Sequence, residues 1–441
     1  MLNENMEWWK MLWKLINDNM KTFVIGILIL LMTMVFDTNI LTPRNEPLSG
    51  YAFGSFQNDS EFLVFSRIAI DKFDLDVDTG GFGLVGVISA ENILDILQMN
   101  TDELHQANIG VRPYNAQFGL QGHVFSFMYN NLNMSLRAMK LVLCLLLATV
   151  LTLLSYFIAK KFDNNLLGII FYITFLLSPW IVAFARNLYW VTFTWFLPGL
   201  FGLLLSMNYD KKKIYYPLIF TSILIKSLSG YEYISTIMLF TIAFMIVDFF
   251  MITIKEEKIK IAKTIFEVGI VCVSAFFLAI LLHAHLRGNG SILNGIIDIF
   301  NEDVLRRTLG GNLDDFPEVF HASLNASVFD VLEKYFTFPT PVIRGIEGRN
   351  FRLMVFSSFV ILIVNFFKGN NDKNRDITMF IVFLLASISW FVLGKSHSYI
   401  HTHMNYVLWY FGFIQICIYI ILKFIIDQIS EYSLSKQMEG K

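Results

Sequence analysis

Charge is scarce in this chain. Only 16% of its 441 residues are Asp, Glu, Lys or Arg, against about 25% in soluble domains, which excludes a water-solvated surface over most of the molecule. The formal net charge of −2 lacks the basic footprint of a nucleic-acid binder. Cysteine is nearly absent. Cys144, Cys272 and Cys417 stand singly in apolar runs, with no metal-ligand spacing, and read as buried thiols. No Pro/Ser-rich linker, low-complexity tract or internal repeat is visible, so 1–441 reads as a single polytopic membrane domain. The apolar run after residue 22 has no small-residue cleavage site and follows some twenty residues that include Trp8, Trp9 and Trp13. It reads as an anchor rather than a removed leader.

Apolar sequence is what the chain has in plenty: 55% of it is hydrophobic, and the mean hydropathy is +0.56. Runs of about 20 apolar residues cross a bilayer. Ten are expected, near 22–41, 138–159, 164–184, 190–207, 214–229, 233–253, 264–284, 352–367, 377–393 and 406–426, the fifth and eighth being short. Lys and Arg orient them. Lys10, Lys14 and Lys21 precede the first; Lys160–Lys161, Lys211–Lys213, Lys255–Lys263 and Lys368–Arg375 fall in alternate loops. Both termini are therefore expected in the cytoplasm of a multi-pass cell (inner or plasma) membrane protein. Two long loops, 42–137 and 285–351, lie outside, with tight outer turns at Arg186, at Glu232 and over 394–405. Trp180, Trp190, Trp390 and Trp409 stand near outer span ends, as an aromatic belt requires. The stretch Glu7–Asn17 places Trp9, Leu12, Trp13 and Ile16 at helical spacing, the pattern of a short helix on the cytoplasmic surface.

On this topology every histidine is extracytoplasmic. A transporter should carry ionisable groups near the bilayer midplane. Lys226, Asp248 and Glu267 all sit near span ends instead, so chemistry at the outer face is the better reading. The first outer loop opens with Gln57-Asn-Asp59-Ser60-Glu61 ahead of an apolar pattern that starts a helix near Ser60. Either Asp59 or Ser60 caps that helix, with Glu61 at its positive end, or Asp59 and Glu61 form an acid/base or metal-binding pair.

A chain of about ten spans with a cytoplasmic N-terminus, a large first outer loop and an acidic D-x-E pair early in it, Asp59 and Glu61, resembles the GT-C superfamily of glycosyltransferases. The likeness covers the whole chain at the level of architecture. It departs from the oligosaccharyltransferase branch in having no soluble domain after the last span. The resemblance implies an all-α integral membrane protein of about ten transmembrane helices, with membrane-parallel helices in the first outer loop. It implies an enzyme that takes a sugar from a polyprenyl-phosphate-linked donor to a glycan, lipid or protein acceptor at the extracytoplasmic face, in cell-surface glycan synthesis. Asp59 by preference, or Glu61, would be the catalytic base.

Further residues are assigned on the same side. Arg186 in a tight outer turn either binds lipid phosphate or holds the donor's phosphate, which a guanidinium fits. In Gly230-Tyr231-Glu232-Tyr233, Tyr231 and Glu232 are candidates for the donor, or Glu232 pairs with Lys226. Lys395-Ser-His397-Ser-Tyr-Ile-His401-Thr-His403 concentrates donors next to a departing phosphate; an interfacial polar turn or a zinc site are its other readings. Gln117 and Gln121, whose amides suit sugar hydroxyls, and His283 and His285, leaving the seventh span, are weaker sugar or acceptor candidates. No metal ligands are assigned, although an acidic pair beside histidines can take Mg²⁺ or Mn²⁺. Asp74–Gly80 imitates a calcium loop, but its glycine is one position late and Val85 stands where the bidentate glutamate belongs, so it is rejected. A polysaccharide polymerase or ligase acting through the 285–351 loop (Arg306, Arg307, Asp314, Asp315, Glu318) is the alternative, and a lipid-linked saccharide transporter is the third reading.

Overall fold

A computed structural model describes residues 2–41, 56–87, 93–98, 110–309, 317–318, 321–337, 341–343, 346–369 and 372–439. Parts of the segments 42–137 and 285–351 lie outside them, Asp314, Asp315 and residues 99–109 included. The described chain is helical, with only two two-stranded antiparallel ribbons, β1 (Val85–Val87) with β2 (Val111–Pro113) and β3 (Pro341–Ile343) with β4 (Ile346–Glu347). Among the described residues, seven helices are long and apolar enough to cross a membrane. They are α1 (Leu2–Thr38), α5 (Leu136–Phe162), α10 (Ile234–Met251), α11 (Lys255–Arg287), α15 (Gly348–Lys368), α16 (Lys373–Leu393) and α19 (Phe413–Glu439). A bent pair, α6 (Asn165–Leu177) and α7 (Pro179–Ala185), at 63° to each other, passes the same test when its two helices are taken together.

Ser178-Pro179 makes that bend. A residue before proline is pushed out of the α region, and Ser178 is extended (φ −75°, ψ 114°), with its hydroxyl capping α7 through the Ile181 N–H. The expected spans at 190–207 and 214–229 are α8 (Phe193–Met207) and α9 (Lys212–Leu228), 15 and 17 residues long. The expected tenth span begins late, because 406–410 is a buried 3₁₀ turn. Residues 7–17 are helical, but they continue into the first span without a break instead of forming a separate surface helix; no Pro or Gly interrupts the chain before Gly26.

Small residues set the closest packing. α8 lies against α10, and a Cβ on Gly202 would stand 1.8 Å from the Thr241 carbonyl oxygen on α10. Since backbone cannot yield as a side chain does, Gly202→Ala should force the pair apart and cost about 1–3 kcal/mol. The measurement is thermal unfolding of the detergent-solubilised protein; an unchanged transition would remove Gly202 from the packing argument.

The two ends of the bundle differ in their polar chemistry. At one end gather ion pairs between helices: Lys161–Asp248 at 2.8 Å, Lys212–Glu267 at 2.6 Å, Lys260–Asp210 at 2.9 Å and Lys423–Asp376 at 2.8 Å. Lys161, Lys212 and Lys260, from three of the basic clusters, are each fixed there by an acidic partner. Turns, short helices and the described histidines occupy the other end: α2 (Asn58–Lys72), α3 (Ile93–Gln98), α4 (Leu120–Asn130), α12 (Ile292–Asp298), a π-helical segment Ile299–Leu309, α13 (His321–Asn325), α14 (Val328–Thr337), α17 (Lys395–Ile400) and α18 (Thr402–Asn405).

Candidate functional site

Helix α2 begins at Asn58, close to the start that the sequence pattern predicts, but neither Asp59 nor Ser60 caps it. The cap is Gln57, in the left-handed region (φ 59°), with no side-chain bond. Asp59 and Glu61 also do not share a face of the helix. Residues two apart on a helix point to opposite sides: Asp59 is exposed, whereas Glu61 is 4% exposed. The Glu61 carboxylate accepts from Lys140 Nζ at 2.7 Å through Oε2 and from the Leu188 backbone N–H at 2.9 Å through Oε1. A residue at the foot of α5 and the tight turn at 186–190 are thereby tied to the start of α2. The Asn187 amide strengthens the tie, donating to the carbonyls of Phe56 and Gln57 at 3.3 Å.

That turn is the hub. Arg186 donates to the Asp37 carbonyl at 3.3 Å, beside the Arg137–Asp37 ion pair. Tyr189 is buried, and burial first, then the neighbouring Tyr114 and Glu232, push its phenol well above the ordinary value. Gln121, 3% exposed, donates through Nε2 to the carbonyls of Tyr189 (3.0 Å) and Ser229 (2.9 Å). It thus ties the run 114–123 of the first outer loop to two membrane turns at once. Gly119 N–H donates to the Leu228 carbonyl nearby. Gln117 is 2% exposed, and its Nε2 is buried without a hydrogen-bond partner.

The second turn, 229–233, holds Glu232, 7% exposed, electrostatically coupled to Lys226, Tyr189 and Arg307. Lys226 is buried and donates Nζ to the Gly230 carbonyl at 2.6 Å; the alternative of a direct Lys226–Glu232 hydrogen bond is not what forms. Tyr231 OH lies 3.0 Å from His283 Nδ1, and His283 Nε2 lies 2.9 Å from the Asn115 carbonyl. Burial, with Asp303 and Glu232 nearby, raises the Tyr231 phenol above its usual range. His285, two residues on, is exposed. Opposite lies the π-helical segment. Arg287 bridges to Glu302 and Asp303, and Arg307 reaches Asp303 at 3.3 Å. Burial opposes the Arg307 charge, but Asp303, with Tyr114, Glu232 and Tyr189, more than offsets it and holds the guanidinium above its ordinary value.

Tyr233 leads from this turn to the last one. Its ring stacks near Trp190 (6.2 Å between centroids, 11° between planes) and meets Trp390 edge-on at 6.0 Å. Its hydroxyl donates to Asn405 Oδ1 at 2.9 Å. Asn405 Nδ2 donates to Ser398 Oγ at 3.2 Å and stands 3.5 Å from His397 Nδ1. The rings of His397 and His401 lie 4.5 Å apart. Lys395 points elsewhere: Nζ donates to the carbonyls of Leu324 (3.0 Å) and Ala326 (2.7 Å), pinning α17 to α13 of the second outer loop. The His403 side chain lies outside the described residues. Among the described residues, no group of three His, Cys, Asp or Glu side chains could hold a metal ion.

One connected network therefore contains Glu61, Gln121, Tyr231, His283 and His397, with Arg186 in its central turn, and Gln117 and Glu232 lie beside it, next to Gly230. Asp59 stands at its rim, Lys395 serves the second loop, and His285 faces out. Sequence reading missed Lys140, Tyr189, Tyr233 and Asn405. Lys140 could have been noticed as a cation just inside an apolar span; Tyr233 and Asn405 gave no signal beyond adjacency to named residues. Comparison with protein families, with curated proteins and with solved structures gives no match.

Proposed function

We propose that this protein is an inverting glycosyltransferase that moves a sugar from a polyprenyl-phosphate-linked donor to an acceptor hydroxyl at the extracytoplasmic face. The supporting observation is the network just described. Segments from both outer loops and three outer turns, more than 300 positions apart in sequence, meet around Tyr189 and Tyr233. We read ten crossings: seven long helices, the α6–α7 pair, α8 and α9. Both termini are then cytoplasmic and the network faces outward.

In this reading Asp59 takes the proton of the acceptor hydroxyl as that oxygen attacks the anomeric carbon, and polyprenyl phosphate departs. Glu61 positions Asp59 by holding the first turn of α2 against Lys140 and the 186–190 turn. Arg186 and the histidine turn stabilise the leaving phosphate. Glu232 and the glutamines contact sugar. The reaction is tested with protein in liposomes supplied with labelled polyprenyl-phosphate hexoses and a membrane extract as acceptor. Release of polyprenyl phosphate with transfer of label is the expected result; no release from any donor in the panel would sink the proposal.

Orientation has its own test. All three native cysteines are buried, so single introduced cysteines report cleanly. A membrane-impermeant maleimide added outside should modify Asp76→Cys and Asn325→Cys and spare Lys213→Cys. The opposite pattern would put the network in the cytoplasm.

A further inference from the structure

A groove of about 690 Å³ runs along the bundle between α1 and α6, with α5 as its floor. It reaches from Lys21 and Asn165, at the end where the ion pairs gather, to Leu31 and Leu176. The polar groups set in its wall are satisfied within the protein. Tyr172 donates its hydroxyl to the Leu28 carbonyl at 2.8 Å, Ser155 donates to the Leu151 carbonyl at 2.8 Å, and Thr152 to Met32 Sδ at 3.9 Å. The rest of the wall between its two ends is mainly apolar side chains. An occupant is asked for no hydrogen bonds along this length, which suits hydrocarbon.

Size narrows the choice. From Lys21 to Leu31 α1 rises about 15 Å, so 690 Å³ gives a section of about 45 Å², against roughly 80 Å² for a helix 10 Å across. A helix of a second copy is too thick to sink into it. Hydrocarbon chains, with carbon contacts near 4 Å, take a section of roughly 20 Å² each, so two lie side by side. A single polyprenyl chain leaves space beside it.

The mouth supplies charge. Lys21 is exposed there, and Lys160 is exposed one residue beyond Ala159 of the wall. Helix α6 begins at the same point with Asn165 and has no acidic residue in its first turn. Asp163, between α5 and α6, is the acidic neighbour, and Lys161 is already paired with Asp248. Two lysines and a helix N-terminus at headgroup depth favour an anion.

We propose that this groove holds one anionic diacyl phospholipid, its two chains between α1 and α6 and its phosphate against Lys21 and Lys160. The site lies at the opposite end of the bundle from the histidine turn and does not rest on the transferase reading. Its lipid adds to the Tyr172–Leu28 hydrogen bond in joining α1 to α6.

The test uses full-length protein, delipidated in detergent, and native mass spectrometry with dioleoyl phosphatidylglycerol, dioleoyl phosphatidylcholine and undecaprenyl phosphate, each titrated alone. Wild type should bind one phosphatidylglycerol about 5-fold or more tightly than phosphatidylcholine, the effect of one lysine on a lipid anion, and more tightly than undecaprenyl phosphate. Lys21→Gln with Lys160→Gln should bring the two phospholipids level and keep the phosphatidylcholine affinity, which also reports a folded protein. Ile25→Trp with Ile173→Trp, which adds ring bulk from both walls, should remove the tight adduct; should it fail to fold, the lysine variant decides. Equal affinity of wild type for the two phospholipids, or a preference kept by the lysine variant, overturns the site. A tight adduct kept by the folded tryptophan variant places the lipid elsewhere and overturns it too. Undecaprenyl phosphate bound more tightly than phosphatidylglycerol overturns the diacyl assignment, and a lipid-free dimer that the tryptophans dissociate makes the groove a contact between copies instead.

Discussion

Asp59→Asn should reduce sugar transfer by about 10²–10⁴-fold, the usual contribution of general-base catalysis, while donor binding and unfolding temperature stay where they are. Asp59 is exposed in the first turn of α2, and no side-chain cap depends on it. An amide of the same shape therefore disturbs nothing except the ability to accept a proton. The measurement is single-turnover transfer from a labelled polyprenyl-phosphate hexose in liposomes, with native mass spectrometry of the donor complex beside it. Full activity would move the base to the second outer loop, whose Asp303 and Arg307 already reach the network, and would favour the polymerase or ligase alternative.

Lys140→Met should be the most damaging substitution for stability. It leaves the Glu61 carboxylate in its buried position with only the Leu188 N–H as a partner. Removing one member of a buried ion pair costs about 3–5 kcal/mol, and the 19% exposure of the Lys140 side chain places the expected loss near the lower figure. Transfer should fall as well, because the first turn of α2 is no longer held against the 186–190 turn. The double variant Lys140→Met with Glu61→Gln removes both charges, so it should recover much of the unfolding temperature. A double variant as unstable as the single one would show that Lys140 acts through packing over Phe65, whose ring centroid lies 5.4 Å from Nζ, rather than through charge.

The helical membrane class was legible from hydropathy alone, because a bilayer core leaves few options to a run of apolar residues. Span boundaries were less so. The kink at Ser178 was written in a Ser-Pro dipeptide, yet hydropathy averages across it, and α6 with α7 reads as one span until backbone geometry is considered. The candidate residues were found because topology put them at one end, a property of loop order. Their partnerships were invisible for a simple reason. Glu61 and Lys140 are 79 positions apart, and Tyr233 and Asn405 are 172 apart, and no local periodicity encodes a contact at that range. The i, i+2 spacing of Asp59 and Glu61 on a helix already sets them on different faces, so their different surroundings follow once the helix is assigned.

The short helices α8 and α9 bear on how the protein sits among lipids. At about 1.5 Å per residue, α8 is roughly 22 Å long and α9 roughly 25 Å, against a hydrocarbon thickness of about 30 Å. For α8 this is harmless, since most of its surface is covered by neighbouring helices. Helix α9 is different: Ile214, Leu218 and Ile225 face outward, 55%, 38% and 36% exposed. If α9 crosses the bilayer, the lipid beside it must compress to meet it, and such mismatch costs a fraction of a kcal/mol per Å. The bilayer is then thinnest beside the helix whose last turn carries Lys226, so in the transferase reading a long polyprenyl chain would meet the protein where the surrounding lipid is already deformed.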